Sequence, residues 1–335
     1  MTIKDVAQLA GVSIATVSNT LSGRKNVSEK KKKAVLDAAK ELGFVPNINA
    51  QLMKGRHTGN LGLFLPYMEG PFYAELMPAV YYACQQAGYA LFIHVEDDTD
   101  SKRAISSILS CNIDGAIVLN DHLHDEEITL INKRGIPLVF MDRELCGKST
   151  SSVILNNESG TVRQVEYMIH TGHKHIAYMR GQDNYDGLTR YAAFRKAMEK
   201  YHMPIDEQLI LTGSFDFDVA YAITRALCRS KVELPDALIC ANDRMALGAI
   251  KAFGEMQVNV PGRVSVIGFD DLGNVETSRP PLTTVGYSMR EYASMAVREL
   301  VRLINEPGAE GRIQVMDTHP VIRDSVAIRY NGKLD

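Results

Sequence analysis

The chain opens with Thr2-Ile3-Lys4-Asp5-Val6-Ala7-Gln8-Leu9-Ala10-Gly11-Val12-Ser13-Ile14-Ala15-Thr16-Val17-Ser18-Asn19-Thr20-Leu21-Ser22-Gly23. Ile3, Val6, Ala7 and Ala10 recur at the three-and-four spacing of an amphipathic helix. Thr2 and Asp5 supply a capping box, in which the hydroxyl takes an orphan backbone N–H and the carboxylate reaches back to the first turn. Gly11 breaks the helix and allows a sharp reversal. Ser13 is a natural N-cap for a second helix, Ile14 to Leu21, with Val17 turned inward. Two short helices around such a turn make a helix-turn-helix. The second can enter a major groove while the first lies across the phosphate backbone.

Glycine-turned helix pairs also occur in proteins that never meet nucleic acid, so charge has to decide. Residues 1–60 carry ten Lys and Arg against four Asp and Glu, a surplus of about six in a chain whose net charge is −3. A basic head on an acidic remainder suits phosphate binding at one end and a different task at the other. A length of 335 residues, 45% of them hydrophobic and 23% charged, predicts about two domains of a soluble globular chain. Met1-Thr2-Ile3-Lys4-Asp5 is followed by no apolar stretch of the secretory type, and no run is long enough to span a bilayer. Five scattered cysteines, Cys84, Cys111, Cys146, Cys228 and Cys240, form no CxxC pair and suit reduced thiols in a cytoplasm.

A third helix is predicted from the N-cap Ser28 to Leu42, with Val35, Ala38, Ala39 and Leu42 inward and Gly43 ending it. The run Lys30 to Lys33 reads mainly as a solvated face, with one or two side chains in reach of phosphate. Pro46, Asn47 and Gly55 then bracket a helix of about two turns, Ile48 to Lys54, which is too short to be stable alone in water. DNA can fold such a segment if an apolar side chain wedges between base steps from the minor groove.

Thr2-Ile3-Lys4-Asp5-Val6-Ala7, Gly11-Val12-Ser13, Ala15-Thr16-Val17-Ser18, Leu42-Gly43-Phe44-Val45-Pro46-Asn47 and Ala50 together resemble the lactose-repressor/galactose-repressor (LacI/GalR) family of bacterial regulators. The resemblance covers essentially the whole chain. It implies a helix-turn-helix domain over 1–45, a hinge helix and linker over 46–60, and a two-lobed, periplasmic-binding-protein-like effector-binding and dimerisation domain over 61–330. It implies a homodimer, with a dimer of dimers as the alternative, on a near-palindromic operator. Ile14, Ala15 and Asn19 match the family's base-reading positions. Thr2, Ser13, Thr16, Ser18 and Asn26 match its phosphate contacts, and Met53 matches the hinge leucine that wedges into the central base step. Many relatives have Arg where this chain has Asn19; asparagine suits adenine and arginine suits guanine, so a different half-site is expected.

From Leu61 onward, short apolar runs alternate with helical stretches. Strands are expected at Leu61–Leu65, Leu91–Val95, Ala116–Leu119, Leu138–Met141 and Val153–Leu155. A second set is expected at Ile176–Met179, Leu209–Leu211, Ala237–Cys240 and Val264–Phe269. Continuous apolar runs with helices between them predict parallel strands covered on both faces. Two sets predict two doubly wound α/β lobes, with ligand beyond the carboxyl ends of the strands. Asn120, Asp142, Asn242-Asp243 and Asp270-Asp271 fall at those ends. Helix N-capping explains any one of them alone, but not all four at one edge.

The family match places Phe72, Tyr73, Asn120, Asp142, Arg190, Phe215, Asn242 and Asp270 where relatives contact their effector. Carboxylates, amides, one guanidinium and aromatic faces suit a sugar or sugar derivative, with a nucleobase as the alternative. His170, His173 and His175 lack a Cys or carboxylate neighbour to complete a metal set. No phosphate loop or nucleophile elbow is present. Neither a metal, a cofactor nor an enzymatic activity is therefore expected. Arg298 and Arg302 lie on the kind of basic face with which some relatives bind a phosphocarrier protein, but pairing with Glu299 and Glu306 is the plainer role. A sugar-binding transport protein is the rival from another class. It calls for a secretory leader and no basic head.

Overall fold

A computed structural model describes residues 1–21, 27–44, 57–95, 101–119, 123–141, 143–273, 275–330 and 333–334. Asn26, Met53, Asn120, Asp142 and the hinge helix expected over 48–54 lie outside the described residues. The chain forms two compact units, Met1–Thr58 and Gly59–Asp335.

The first unit holds α1 (Ile3–Leu9), α2 (Ile14–Leu21) and α3 (Glu29–Glu41). Val6, Ala7, Val17, Val35, Ala38 and Ala39 form its core, with Ile3, Ala10, Val12, Leu21, Leu42 and Phe44 packed around them. These are the apolar stripes predicted from spacing.

Both chain reversals are solved in the same way. Gly11 takes φ +64° and donates its N–H to Gln8 O at 3.3 Å, while Val12 N–H reaches Ala7 O at 3.0 Å. After α3, Gly43 takes φ +58°, and Gly43 and Phe44 repeat the pair of bonds to Lys40 O and Ala39 O. This is the Schellman arrangement, which satisfies the last carbonyls of a helix. Ser13 Oγ accepts from Thr16 N–H at 3.2 Å, and Asp5 Oδ2 accepts from Thr2 N–H at 2.7 Å.

Two boundary expectations are corrected. Leu42 is the C-cap rather than the last helical residue, and the Ser28 side chain makes no capping hydrogen bond. The exposed first turn of α3 carries Glu29 instead, whose charge suits a helix N-terminus.

The second unit contains two parallel sheets. Its elements in order are β1 (Asn60–Leu65), α4 (Pro71–Gln86), β2 (Ala90–Val95), α5 (Ser101–Ser110), β3 (Gly115–Val118), α6 (Asp125–Lys133), β4 (Leu138–Phe140), β5 (Thr150–Leu155), α7 (Asn157–His170), β6 (Ile176–Arg180), α8 (Tyr185–Lys200), β7 (Ile210–Thr212), α9 (Phe217–Arg229), β8 (Ala237–Cys240), α10 (Asp243–Glu255), β9 (Ser265–Ile267), β10 (Thr284–Gly286), α11 (Met289–Asn305), β11 (Ile313–Met316) and β12 (His319–Val321). The first lobe orders its strands β11-β5-β4-β3-β1-β2 and the second β7-β6-β8-β9. All pairs in these two sheets are parallel.

Period-two alternation sends Leu61, Leu63 and Leu65 into the core beneath α4 and α11, and Phe64 into the core with Ile108, Ile128 and Ile131 of α5 and α6. The first lobe is thus covered on both sides, as its apolar runs predict.

The chain crosses between lobes three times, after β5, after β10 and after β11. The sequence gives no sign that α11 and β11 return to the first lobe. β11 is an edge strand whose Ile313 and Val315 stay exposed, so its Ile-Gln-Val-Met alternation lacks the continuous apolar run that marks the other strands. β2 departs from expectation in the opposite sense. It is apolar in sequence, yet Phe92, Ile93 and Val95 are exposed, Phe92 at 44%, because β2 is the other edge of the sheet.

Substituting Gly11 by Ala tests the turn. No atom lies within 4 Å of the added Cβ, so only the left-handed backbone is penalised, by about 1 kcal/mol. The expected outcome is faster amide hydrogen exchange at Val6 and Val17 with unchanged exchange in the second unit.

Candidate ligand cleft and nucleic-acid interface

Arg190 on α8 is 3% exposed, and each part of its guanidinium has a partner. Nε donates to Asn157 Oδ1 at 2.8 Å and Nη1 to Ala241 O at 2.6 Å. Asp270 Oδ1 lies 3.5 Å from Nη1 and Asp186 Oδ2 3.9 Å from Nη2. The planar group lies 3.8 Å from the Phe269 ring centroid and 5.9 Å from that of Phe215. Asn157 is itself fixed, donating to Asp186 Oδ1 at 2.7 Å.

Phe215 holds φ +57° and Asp270 φ +119°. Both are conformations that L-residues avoid and that gather at functional sites. A Cβ on Gly181 would stand 2.1 Å from the Phe215 ring, so glycine there is what lets the ring lie against the backbone.

Phe72 and Tyr73 belong to the first turn of α4, their rings edge-to-face at 5.2 Å, and Tyr67 stands edge-on to Tyr73 at 5.7 Å. The loop after β9 approaches this turn from the other lobe. Gly273 N–H donates to Glu75 Oε1 at 3.1 Å. Arg190, Phe215 and Asp270 thus belong to the second lobe and Phe72 and Tyr73 to the first, and the Gly273–Glu75 bond joins the Asp270 loop to the turn that carries Phe72 and Tyr73. Asn242 sits at its end of β8, but Oδ1 is committed to capping α10 through Met245 N–H at 2.9 Å, which leaves its amide nitrogen for other partners.

Asp243 and Asp271 prove to be structural. Asp243 accepts from Thr284 Oγ1 at 2.5 Å and from Leu272 N–H at 3.1 Å, pinning the loop that carries Asp270. Asp271 pairs with Arg323 at 2.7 Å. Asp186 and Asn157 escape sequence reading, since both look like ordinary first-turn helix residues.

Burial pushes the Asp270 carboxyl up to about 7, against the pull of Arg190 and with a further push from Asp186. It is an acid poised to lose its proton near neutrality. The thiols of Cys84 and Cys240 are also raised by burial, as inert core cysteines are.

The three histidines have separate surroundings: His170 is exposed, and His175 lies 4.0 Å from Asp206 Oδ2. His173 is buried between Thr171 Oγ1, Met168 O and Ser265 Oγ at 3.0, 3.1 and 2.8 Å. Among the described residues no group of three His, Cys, Asp or Glu could hold a metal, and no helix is long and apolar enough to cross a membrane. Arg302 pairs with Glu299 and Glu306 at 2.6 and 3.0 Å as expected. Arg298 instead pairs with Glu291 at 2.6 Å, because Glu299 is buried against Ser151 and Arg302.

In the N-terminal unit, α2 turns Val17 and Thr20 inward and leaves Ile14 and Ala15 exposed. Ser18 and Asn19, one turn further along the same helix, are half-buried. Ser13 and Thr16 hydroxyls meet at 2.9 Å at its start, and Thr2 is exposed at the start of α1.

A three-helix head of this kind, followed in the chain by a two-lobed α/β body, defines a DNA-binding regulator with a ligand-binding domain. The bacterial regulatory proteins of the lacI family match residues 2–47, and a periplasmic binding protein-like domain matches residues 165–326. The HTH-type transcriptional repressor PurR of Pasteurella multocida is 33% identical over 98% of this chain and 99% of its own length. Among solved structures, the lac repressor dimer bound to operator and the anti-inducer ONPF has a TM-score of 0.83 and 25% identity, covering 98% of this chain and 99% of that one. The transcriptional regulator CelR in complex with cellobiose has a TM-score of 0.72 and 30% identity, covering 97% and 99%. The chain belongs to the LacI family and is a transcriptional repressor of that family.

Asp270 predicts a pH signature. Its ordinary value is 3.8 and its folded value about 7, so between those limits the folded state holds a proton that the unfolded state has lost, and stability falls as pH rises. Asp270→Asn removes this contribution. Its melting temperature, followed from about pH 5 to about pH 8, should decline less with pH than that of the unaltered protein.

Proposed function

We propose that this repressor binds a near-palindromic operator as a homodimer and that a sugar or sugar derivative in the interlobe cleft resets its affinity for DNA. The observation that carries the ligand reading is the pairing of buried Arg190 with Asp270 and Asp186 beside an aromatic wall. Carboxylates accept from adjacent hydroxyls, a guanidinium donates in a fixed fork, and aromatic faces pack the apolar side of a ring. Arg190, Phe215, Asp270, Phe72, Tyr73 and Asn242 are assigned this role, joined by Asn120 and Asp142 on sequence grounds. A nucleobase is the second reading. It is favoured by the relatives named PurR that match nearly the whole chain, and by rings that can cover a flat heterocycle.

In the head, Ile14, Ala15 and Asn19 are assigned to base edges, and Thr2, Ser13, Thr16, Ser18 and Asn26 to phosphates. Met53 is assigned to the minor-groove wedge. The exposed apolar edge formed by Phe92, Ile93 and Val95, with Tyr81 and Tyr82 of α4 also exposed, supports self-association, since apolar patches of this kind mark protein contacts. Ligand closing the cleft changes how the lobes sit on each other and so resets the spacing of two hinge segments over residues 46–60. The coupling is reciprocal: a ligand that disfavours the DNA-bound state binds that state more weakly.

A thermal-shift panel of ribose, glucose, cellobiose, adenine, guanine and hypoxanthine tests the ligand reading. A shift with a sugar and none with a base is expected. The reverse result establishes the second reading, and silence to all six overturns both. For the head, Met53→Gly should weaken binding to a selected operator by about tenfold or more while sparing most of the salt-sensitive affinity for random-sequence DNA. Anisotropy titrations at two salt concentrations provide the comparison, and equal losses on both DNAs remove the wedge assignment.

A further inference from the structure

Tyr287 follows β10 on the crossover that returns the chain to the first lobe. Its side chain is 7% exposed, yet its hydroxyl has no hydrogen-bond partner among the described residues. Leaving a buried phenol unpaired forfeits the water it would otherwise bind, so such a group needs a reason.

Its position suggests one. Asp270 donates its N–H to Val285 O at 2.7 Å and bridges Gly286 in parallel register, so the next residue, Tyr287, emerges beside Asp270. Its ring packs in the same core cluster as Phe269, the ring that lies under the Arg190 guanidinium. On its other side it stands edge-on to Tyr292 at 5.8 Å. The Tyr292 hydroxyl donates to Met141 O and Val153 O at 2.5 and 3.1 Å, just after β4 and within β5 of the first lobe. The Tyr287 ring therefore lies between the Asp270 loop of the second lobe and Tyr292 of α11. The charges of Asp270, Arg190 and Asp186 all act on it, although burial is the larger influence holding its proton in place.

We propose that Tyr287 is a ligand-contacting, specificity-determining residue. Its O–H donates a hydrogen bond to a ligand hydroxyl oxygen, and that hydroxyl's own O–H donates a hydrogen bond to Asp270. This rests on the reading of the cleft as the effector site and sharpens it. The matching ligand feature is a hydroxyl, which accepts and donates through one atom, set deep in the cleft rather than at its mouth. Because Tyr287 lies in the segment joining the lobes, filling this bond also ties the ligand to the crossover.

Tyr287→Phe keeps the ring and removes only the oxygen. The full-length protein and this variant are melted alone and with ribose, glucose, cellobiose, adenine, guanine and hypoxanthine, and the affinity of whichever compound shifts the parent is titrated on both. The expected result is an unchanged or raised melting temperature without ligand, since no protein bond is lost, and about tenfold weaker binding. A lowered melting temperature without ligand shows that the hydroxyl already has a protein partner and overturns the assignment. Equal affinities in the two proteins overturn it while leaving the cleft intact as the effector site. A parent protein that ignores all six compounds overturns the effector reading itself and this inference with it.

Discussion

A guanidinium taken almost wholly out of water costs several kcal/mol unless its donors are met and its charge is balanced, and Arg190 imposes that requirement on the body of this protein. The requirement is met from four segments. Asn157 opens α7, Asp186 lies one turn back on α8, Ala241 follows β8, and Phe269 and Asp270 follow β9. Each is at the end of a strand or the start of a helix in the second lobe, so one charge fixes how those ends converge. The carboxylates do more than neutralise. Two of them around one cation leave the cleft net negative unless one keeps its proton, and Asp270, raised to about 7, is the one positioned to do so.

The strain at Phe215 and Asp270 belongs to the same arrangement. Positive φ at a non-glycine residue costs of order 1–3 kcal/mol and persists where surrounding structure over-determines it. Gly181 clears the space that the Phe215 ring occupies, and Asp243 clamps the loop of Asp270 through Thr284 and Leu272. Side chains that read in sequence as candidate ligand contacts thus divide into those that face the cleft and those that hold the first group still. Asp270 meets Arg190 and Asn242 caps α10; Asp243 and Asp271 serve as clamps.

Much of this was legible before any coordinates. Local rules dominate the head, where Gly11, Ser13, Val17 and Gly43 each have one conformational or packing role, and the structure realises those roles. Most strands of the body were legible to within a residue or two, because a continuous apolar run has few other uses, but β5 begins three residues before its expected start with buried Thr150, Ser151 and Ser152, and the short buried β10 was missed. Legibility ended where burial is one-sided or where the decisive fact is long-range. β11 alternates and was missed; β2 is apolar and was taken as covered although it is an edge. Arg190 was identified, but its partners Asp186 and Asn157 were not, since nothing in a helix's first turn announces that it meets a residue 33 positions away. Tyr287 was invisible for the same reason: its significance is an unpaired atom.

The three passages of chain between the lobes also bear on how the molecule is made. The sheet of the first lobe is missing an edge strand, and its apolar face is missing the cover of α11, until residues 289–316 have been synthesised. Nearly all of the second lobe leaves the ribosome before then, with its four strands already contiguous. It is placed to collapse first, as domains generally fold in units during synthesis, while Leu63, Val153 and their neighbours still lack the cover that α11 brings. A truncation shortly before α11 should therefore strand the earlier-made lobe rather than the later one, and expose to chaperones the surface that α11 normally closes.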